Sequence, residues 1–154
     1  MRFIVAVVGK PRDSALAAAI SDYETRAARY WPLEVHEVKE ERGKIPPAEV
    51  VTRESERLMS VIPSGATVVV CDAGGDSFTS EEFAAWMQGS RESARDVAFV
   101  IGGAHGLPSD LKKRAARRIA MGKWTLPHEM ARLVLAEQLY RAGTIVRNEP
   151  YHKA

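Results

Sequence analysis

The sequence predicts a three-layer α/β domain built on a mainly parallel β-sheet. Short apolar segments that are typical of buried strands alternate along the chain with longer segments in which apolar residues recur at helical spacing. The chain has 154 residues, of which 45% are hydrophobic and 27% charged, and a chain of this size can bury a substantial core. We therefore expect one domain over residues 1–154, with five strands.

The first half of the chain contains two strand–helix units. FIVAVVG (3–9) is typical of a buried strand, and residues 13–31 carry Ala and Leu at helical spacing before Pro32. Residues 33–40 alternate apolar and polar side chains, as a half-exposed strand does. Residues 48–62 then predict an amphipathic helix.

The next two strands both run into glycines. TVVVCDAGG (67–75) and DVAFVIGG (96–103) are apolar enough to be buried on both faces. Between them, Thr79 and Glu82 have the spacing of a capping box, which predicts a helix over 80–88.

The last part of the chain predicts a basic helix over 109–118, an extended segment over 119–126 and a closing helix over 127–143, with Pro127 near its first turn. Apolar residues spread around most of the circumference of the closing helix. Such a helix must be covered on more than one side. The cover is either a second subunit, which makes the protein a homodimer, or the rest of the same monomer.

The charges are distributed unevenly along the chain. Residues 1–104 carry 12 Lys/Arg and 16 Asp/Glu, whereas residues 105–154 carry 10 and 4. This basic last third either attracts a polyanion such as RNA or is a solvated helix face. Its candidate RNA-binding residues are Lys112, Lys113, Arg114, Arg117, Arg118, Arg132 and Arg141.

Two further charge patterns leave alternatives open. Glu137 stands four residues before Arg141, so an ion pair within the helix competes with RNA binding for that arginine. Arg42 and Lys44 form a second and weaker candidate for contact with RNA phosphates.

No pattern in the sequence predicts a membrane segment, a disulfide or a metal site. No apolar run approaches the roughly 20 residues that a membrane helix requires. The single cysteine, Cys71, has no partner for an internal disulfide, and the four histidines lie too far apart in sequence to suggest a metal motif. We expect a cytoplasmic protein that uses no metal.

Two strands end in glycine turns, CDAGG (71–75) and IGGAHG (101–106). In open α/β sheets ligands bind beyond the carboxyl ends of the strands, and backbone without side chains lets a flat ligand approach closely. Neither turn matches a P-loop or the dinucleotide fingerprint, which argues against a flavin or dinucleotide. A simple tight turn is the alternative. A third segment, MGKWTLPH (121–128), would close with the two turns on one nucleoside.

Four segments together resemble the SPOUT superfamily of S-adenosylmethionine-dependent RNA methyltransferases, and within it the bacterial group that methylates N3 of a pseudouridine in 23S rRNA. They are VVGK (7–10), FVIGGAHGL (99–107), TLPHEMARLVLAEQLYRA (125–142) and NEPYHK (148–153). The resemblance extends over essentially the whole chain. It implies a C-terminal trefoil knot, in which the segment around 121–126 threads a loop formed by earlier residues.

The resemblance also implies where the methyl donor binds. By position it assigns donor binding, mostly through backbone groups, to Cys71, Gly102, Gly103, Met121, Gly122, Lys123, Trp124, Thr125 and Leu126. S-adenosylmethionine carries no phosphate, which agrees with the missing P-loop lysine, and its product would be S-adenosylhomocysteine. Cys71 stands where the family commonly has leucine. His105 occupies a variable position of the family, so we assign it no catalytic role.

The catalytic residues implied by the resemblance come from two places. His128, at the start of the closing helix, is expected to contact the target base, and a helix-terminal histidine satisfied by the backbone is the alternative. Tyr151, His152 and Lys153 belong to a terminal segment that the family folds over the active site. The expected substrate is 23S rRNA in the large subunit or whole ribosome, recognised by a homodimer. A non-catalytic ribosome- or RNA-binding factor is the alternative function.

Overall fold

The computed structural model describes residues 1–153, in which five strands alternate with five helices. The strands are β1 (Phe3–Val8), β2 (Leu33–Val38), β3 (Thr67–Asp76), β4 (Val97–Ile101) and β5 (Arg117–Ile119). The helices are α1 (Ser14–Ala27), α2 (Pro47–Ser60), α3 (Ser80–Glu92), α4 (Ser109–Arg114) and α5 (His128–Val146). This alternation confirms the predicted α/β fold class.

The five strands form one sheet in the order β2-β1-β4-β3-β5, and every neighbouring pair is parallel. The carboxyl ends of all five strands therefore lie on the same edge of the sheet. Because β1 and β4 are central neighbours, the loops that follow β1 and β2 lie beside those that follow β4 and β3. This edge carries both clefts described below.

Helices cover both faces of the sheet. The face packed by α1, α3 and α5 contains Trp31, Phe99 and Leu139, and the indole N–H of Trp31 donates to the carbonyl of Leu139 at 2.8 Å. The face packed by α2 and α4 contains Leu58 and Val100. Since successive residues of β4, such as Phe99 and Val100, belong to opposite faces, the strand is buried on both sides and the fold has three layers.

The predicted basic helix is too long. α4 ends at Arg114, and Arg117 and Arg118 lie on β5, so the prediction of a helix over 109–118 is wrong for its last part. The N–H of Ala116 donates to the carbonyl of Val68 at 2.9 Å, which starts the pairing of this segment with β3. Pairing with a strand far away in sequence overrides the helical preference of a Lys/Arg-rich run.

Other element ends also differ from the predictions. The segment expected to be extended over 119–126 is mostly loop, because β5 ends at Ile119. α1 ends at Ala27 rather than at residue 31, since the chain turns there to bury Trp31. The capping box of α3 is confirmed: the hydroxyl of Thr79 accepts from the N–H of Glu82 at 3.1 Å, and the Glu82 carboxylate accepts from the N–H of Thr79 at 2.7 Å.

Two further expectations concern the trefoil knot and membrane-spanning segments. The threading of residues 121–126 through an earlier loop stays a prediction. Among residues 1–153, no helix is both long and apolar enough to cross a bilayer.

Candidate active site

A cleft of about 740 Å³ opens at the carboxyl-terminal parts of β3 and β4. Its walls come from three segments of the chain: the end of β3, the glycine loop after β4 and the loop before α5. The predicted donor-binding residues that line it are Cys71, Gly102, Gly103, Met121, Gly122, Trp124, Thr125 and Leu126. Lys123 is exposed and does not line it. We call this cavity the donor cleft.

The glycine loop of residues 102–106 is a tight turn that also forms a wall of the donor cleft. The N–H of Gly106 donates to the carbonyl of Gly103 at 3.0 Å, and Gly106 has a φ of +77°. A Cβ on Gly102 would lie 2.8 Å from the carbonyl carbon and oxygen of Gly106. The loop can therefore close over itself only because no side chain stands at residue 102.

Asp72 is a carboxylate of the donor cleft that the sequence analysis missed. It accepts from Arg118 at 2.5 Å and from the Lys112 ammonium at 3.0 Å. Arg118 first, and then Lys112, hold the pKa of Asp72 below its usual range despite partial burial. The only hint in the sequence is the position of Asp72 directly after Cys71, where a strand runs into glycines. This pairing engages two of the predicted RNA-binding cations, but the one carboxylate offsets only one of their two positive charges.

The remaining cations of the basic segment are also mostly engaged. Arg114 forms an exposed ion pair with Asp110 at 3.5 Å, and the guanidinium of Arg117 lies 4.8 Å from the centre of the Phe78 ring. Among residues 1–153, Lys113 forms no ion pair. Five cations thus stand against the two carboxylates of Asp72 and Asp110, so the segment keeps an excess of positive charge.

Arg132 is a buried structural residue rather than an RNA contact. Its side chain is 9% exposed and forms ion pairs with Glu24 of α1 at 2.7 Å and with Glu37 of β2 at 2.8 Å. These contacts correct the prediction that Arg132 binds RNA. Arg141 forms the alternative ion pair with Glu137, with its Nε atom 3.0 Å from the carboxylate.

His128 and Trp124 both line the donor cleft. His128 is the first residue of α5 and is half-buried, and its ring forms no hydrogen bond with a described residue. The structure therefore does not contain the alternative arrangement, in which the histidine ring forms a hydrogen bond with the backbone. Trp124 is 85% exposed, so its ring is free to stack on a ligand.

The terminal segment lies at the other end of α5. The Tyr151 hydroxyl donates to Glu137 at 3.0 Å, and His152 contacts Arg141 at 3.1 Å and Glu81 at 2.7 Å. Glu137 lies nine residues beyond the start of α5, which corresponds to about 14 Å along the helix axis. Within one chain the segment does not line the donor cleft, and its coverage of an active site stays a prediction.

The contacts of the terminal segment also affect its chemistry. Burial, together with hydrogen bonding to Glu137, raises the pKa of Tyr151, so its phenol stays protonated near neutral pH. Lys153 is exposed. Within residues 1–153, no three side chains of the kinds that bind metals are grouped together.

The chain is similar to known methyltransferases over nearly all of its length. Residues 1–152 match the family model described as "Predicted SPOUT methyltransferase". The ribosomal RNA large subunit methyltransferase H of Gemmatimonas aurantiaca is 60% identical, over 99% of this chain and 100% of that protein. The protein of the same name from Geobacter sulfurreducens is 42% identical, over 99% of each chain.

One solved structure supports the fold. A probable methyltransferase from Bordetella pertussis Tohama I matches with a TM-score of 0.56 and 16% identity, over 92% of this chain and 95% of that chain. At this identity the match concerns the architecture alone.

Proposed function

This chain belongs to the SPOUT methyltransferase family, and from that membership we propose that it methylates large-subunit ribosomal RNA with S-adenosylmethionine as the donor. We propose N3 of a pseudouridine in 23S rRNA as the acceptor atom. The observation that carries the proposal is the donor cleft. Residues from three distant segments, all assigned to the donor by the family resemblance, line one cavity of about 740 Å³, a size typical of ligand sites.

The residues of the donor cleft fit this donor. The tight glycine loop presents backbone to the cavity, and no P-loop is present to favour a phosphate-bearing cofactor. When bound, S-adenosylmethionine supplies a methyl group that transfers to the ring nitrogen as the sulfonium loses its charge.

In this proposal the chain contributes positioning and removal of one proton. Trp124, exposed at the donor cleft, stacks on the target base and orients it. His128 contacts the base and accepts the N3 proton, a role that typically accelerates a reaction by ~10²- to 10⁴-fold. Alignment of the two reacting atoms and exclusion of water supply the rest.

We further propose that the protein functions as a homodimer formed through α5. Met130, Leu133 and Val134 on this helix are only half-buried. A groove of about 250 Å³ between α5 and the start of α3 is lined largely by apolar side chains, including Val134 and Phe83. A second copy would cover this surface. In such a dimer, Tyr151, His152 and Lys153 of one subunit would act at the donor cleft of the other subunit.

Sedimentation of the wild type and of a Val134→Arg variant tests the homodimer. We expect a dimer at micromolar concentration and a monomer for the variant, because a buried arginine without a partner opposes association. A monomeric wild type would contradict the proposal.

We place the reaction on the assembled large subunit or ribosome in the cytoplasm. Support comes from the relatives, which are named for the ribosomal RNA of the large subunit. Equal activity on isolated RNA stem-loops and on ribosomes would count against this part of the proposal.

Titration calorimetry tests the function directly. We expect purified protein to bind S-adenosylhomocysteine and not FMN, NAD or ATP, and to transfer methyl groups to bacterial large subunits that lack the modification. Failure to bind S-adenosylhomocysteine even at millimolar concentration would instead favour a non-catalytic RNA-binding factor.

A further inference from the structure

A second cleft, of about 750 Å³, lies at the carboxyl ends of β1 and β2. We call it the basic groove, and its lining consists of residues 9–12, residues 37–42 and Arg57. We propose that the basic groove binds backbone phosphates of the substrate RNA next to the nucleotide that enters the donor cleft. This inference rests on the proposed function, since it takes the RNA substrate from there.

The carboxylates of the basic groove are largely compensated by arginines, and Glu37 shares its arginine with Glu24. Each is paired with an arginine: Glu37 with Arg132, Glu40 with Arg12 and Glu41 with Arg57. The acidic side chains therefore oppose an approaching anion much less than their number indicates. They also hold their arginines in place around the cavity.

Three further cations of the basic groove have no such partner. Lys10, Lys39 and Arg42 are exposed and form no ion pair with any residue from 1 to 153. Their charge faces solvent at one cavity. Lys and Arg side chains in this state bind phosphates with release of counterions, which is the main source of affinity for nucleic acid.

The loop that carries Lys39 and Arg42 is held from beneath by α2. Arg57 donates to the carbonyl of Lys39 at 2.9 Å, and the buried carboxylate of Glu54 accepts from the N–H of Glu41 at 3.0 Å. The cations are thus presented on a braced backbone, which reduces the ordering cost of binding.

The basic groove and the donor cleft share a wall. A Cβ on Gly103 would lie 2.8 Å from Glu54 Oε1, so the residue that braces the groove also packs under the donor loop. On the other side, the N–H of Arg12 donates to Glu129 at 2.9 Å, directly beside His128. An RNA strand with its target base in the donor cleft would therefore pass its neighbouring phosphates over the basic groove.

The test compares two double variants that each remove two positive charges. Lys39→Gln/Arg42→Gln changes the basic groove. Arg29→Gln/Arg95→Gln removes exposed charge at the amino ends of β2 and β4, on the opposite edge of the sheet. Affinity for purified bacterial large ribosomal subunits is measured by filter binding from about 50 to 200 mM salt.

We expect the groove variant to bind about tenfold more weakly at the lower salt, and the slope of log K against log salt to fall by about 1.4 to 1.8 for two lost phosphate contacts. The control variant should keep both the affinity and the slope. Both variants should bind S-adenosylhomocysteine as the wild type does, which also shows that they are folded.

Two outcomes would overturn the inference: an unchanged salt slope in the groove variant, or an equal loss in both variants. Absence of S-adenosylhomocysteine binding in the wild type would contradict the proposed function instead. The comparison of the two variants on large subunits would still decide whether the basic groove binds RNA.

Discussion

The donor cleft and the basic groove lie side by side on one edge of the sheet and have similar volumes, but they are built from different chemistry. The donor cleft is formed largely by backbone and small residues such as Gly102 and Gly103. The basic groove is formed by long charged side chains around paired carboxylates. A side chain added in the donor cleft should therefore abolish ligand binding there, and loss of positive charge should weaken binding in the basic groove. The same sheet supports both clefts.

The largest effect is expected for Arg132→Met, which should damage both clefts together. Arg132 joins α5 to Glu24 of α1 and to Glu37, which lines the basic groove. Its removal leaves two partly buried carboxylates unpaired, at a cost of about 3 kcal/mol in the free energy of unfolding. Urea denaturation measures this cost.

Arg114→Met is the matched control, because its ion pair with Asp110 is exposed and should matter little to stability. If Arg132→Met weakened ribosome binding with no loss of stability, Arg132 would return to the set of RNA contacts.

Gly102→Ala should disable the donor cleft alone. The new Cβ would lie 2.8 Å from backbone atoms of Gly106, so the loop must move. Overpacking of this kind costs about 2 kcal/mol, or roughly thirtyfold in affinity for S-adenosylhomocysteine measured by calorimetry. In Gly89→Ala the added Cβ meets nothing within 4 Å, and affinity should not change. Equal affinities in the two variants would refute the close-packed loop.

A smaller effect is expected for Trp124→Ala, which distinguishes binding of the RNA base from binding of the methyl donor. Because Trp124 is 85% exposed, its loss should leave stability unchanged. It should lower kcat/KM for methyl transfer to large subunits about fivefold. This factor corresponds to the loss of one base-stacking interaction of about 1 kcal/mol, which is the low end of the usual range. Trp124→Phe should retain part of the activity. A fall in S-adenosylhomocysteine affinity of the same size would show that the indole packs on the donor instead.

Cys71 should show the smallest effect near neutral pH. Burial raises the pKa of the Cys71 thiol to about 12 from its usual 9.0, so the thiol is neutral and should react slowly with iodoacetamide. Cys71→Leu should bind S-adenosylhomocysteine within about twofold of the wild type, since it adds or removes no charge. Rapid alkylation of the folded protein would contradict this assignment.

The same thiol makes stability depend on pH in alkaline solution. Below pH 9.0 it is protonated in both the folded and the unfolded chain, and between 9.0 and about 12 only the unfolded chain loses the proton. The free energy of unfolding should therefore fall as pH rises through this range. Urea denaturation at several alkaline pH values should show a smaller fall for Cys71→Leu than for the wild type.

The fold was largely predictable because its signals are local. The apolar runs that became β1 and β4 are buried at every position, and Thr79 and Glu82 marked the start of α3. The errors occurred where distant contacts decide. Nothing near Arg117 in the sequence shows that its backbone pairs with β3.

The site was predictable only in part, for the same reason. The resemblance brought together the residues of the donor cleft, but the state of the charges depends on contacts across the fold. Arg118 is paired with Asp72, which lies 46 residues away in sequence. A count of basic residues therefore pointed first to residues 112–118 and only second to Arg42 and Lys44. Within residues 1–153, the cations of the second cleft that form no ion pair are Lys10, Lys39 and Arg42.

The position of Glu54 has an evolutionary consequence. One carboxylate, 2% exposed, braces the loop at Glu41 and fills the space beneath Gly103. A lineage that acquires a larger residue at position 103 must shorten the side chain at position 54, and that change releases the backbone at position 41. We therefore expect these three positions to covary among descendants of this fold, because the shape of the glycine loop and that of the loop after β2 depend on the same side chain.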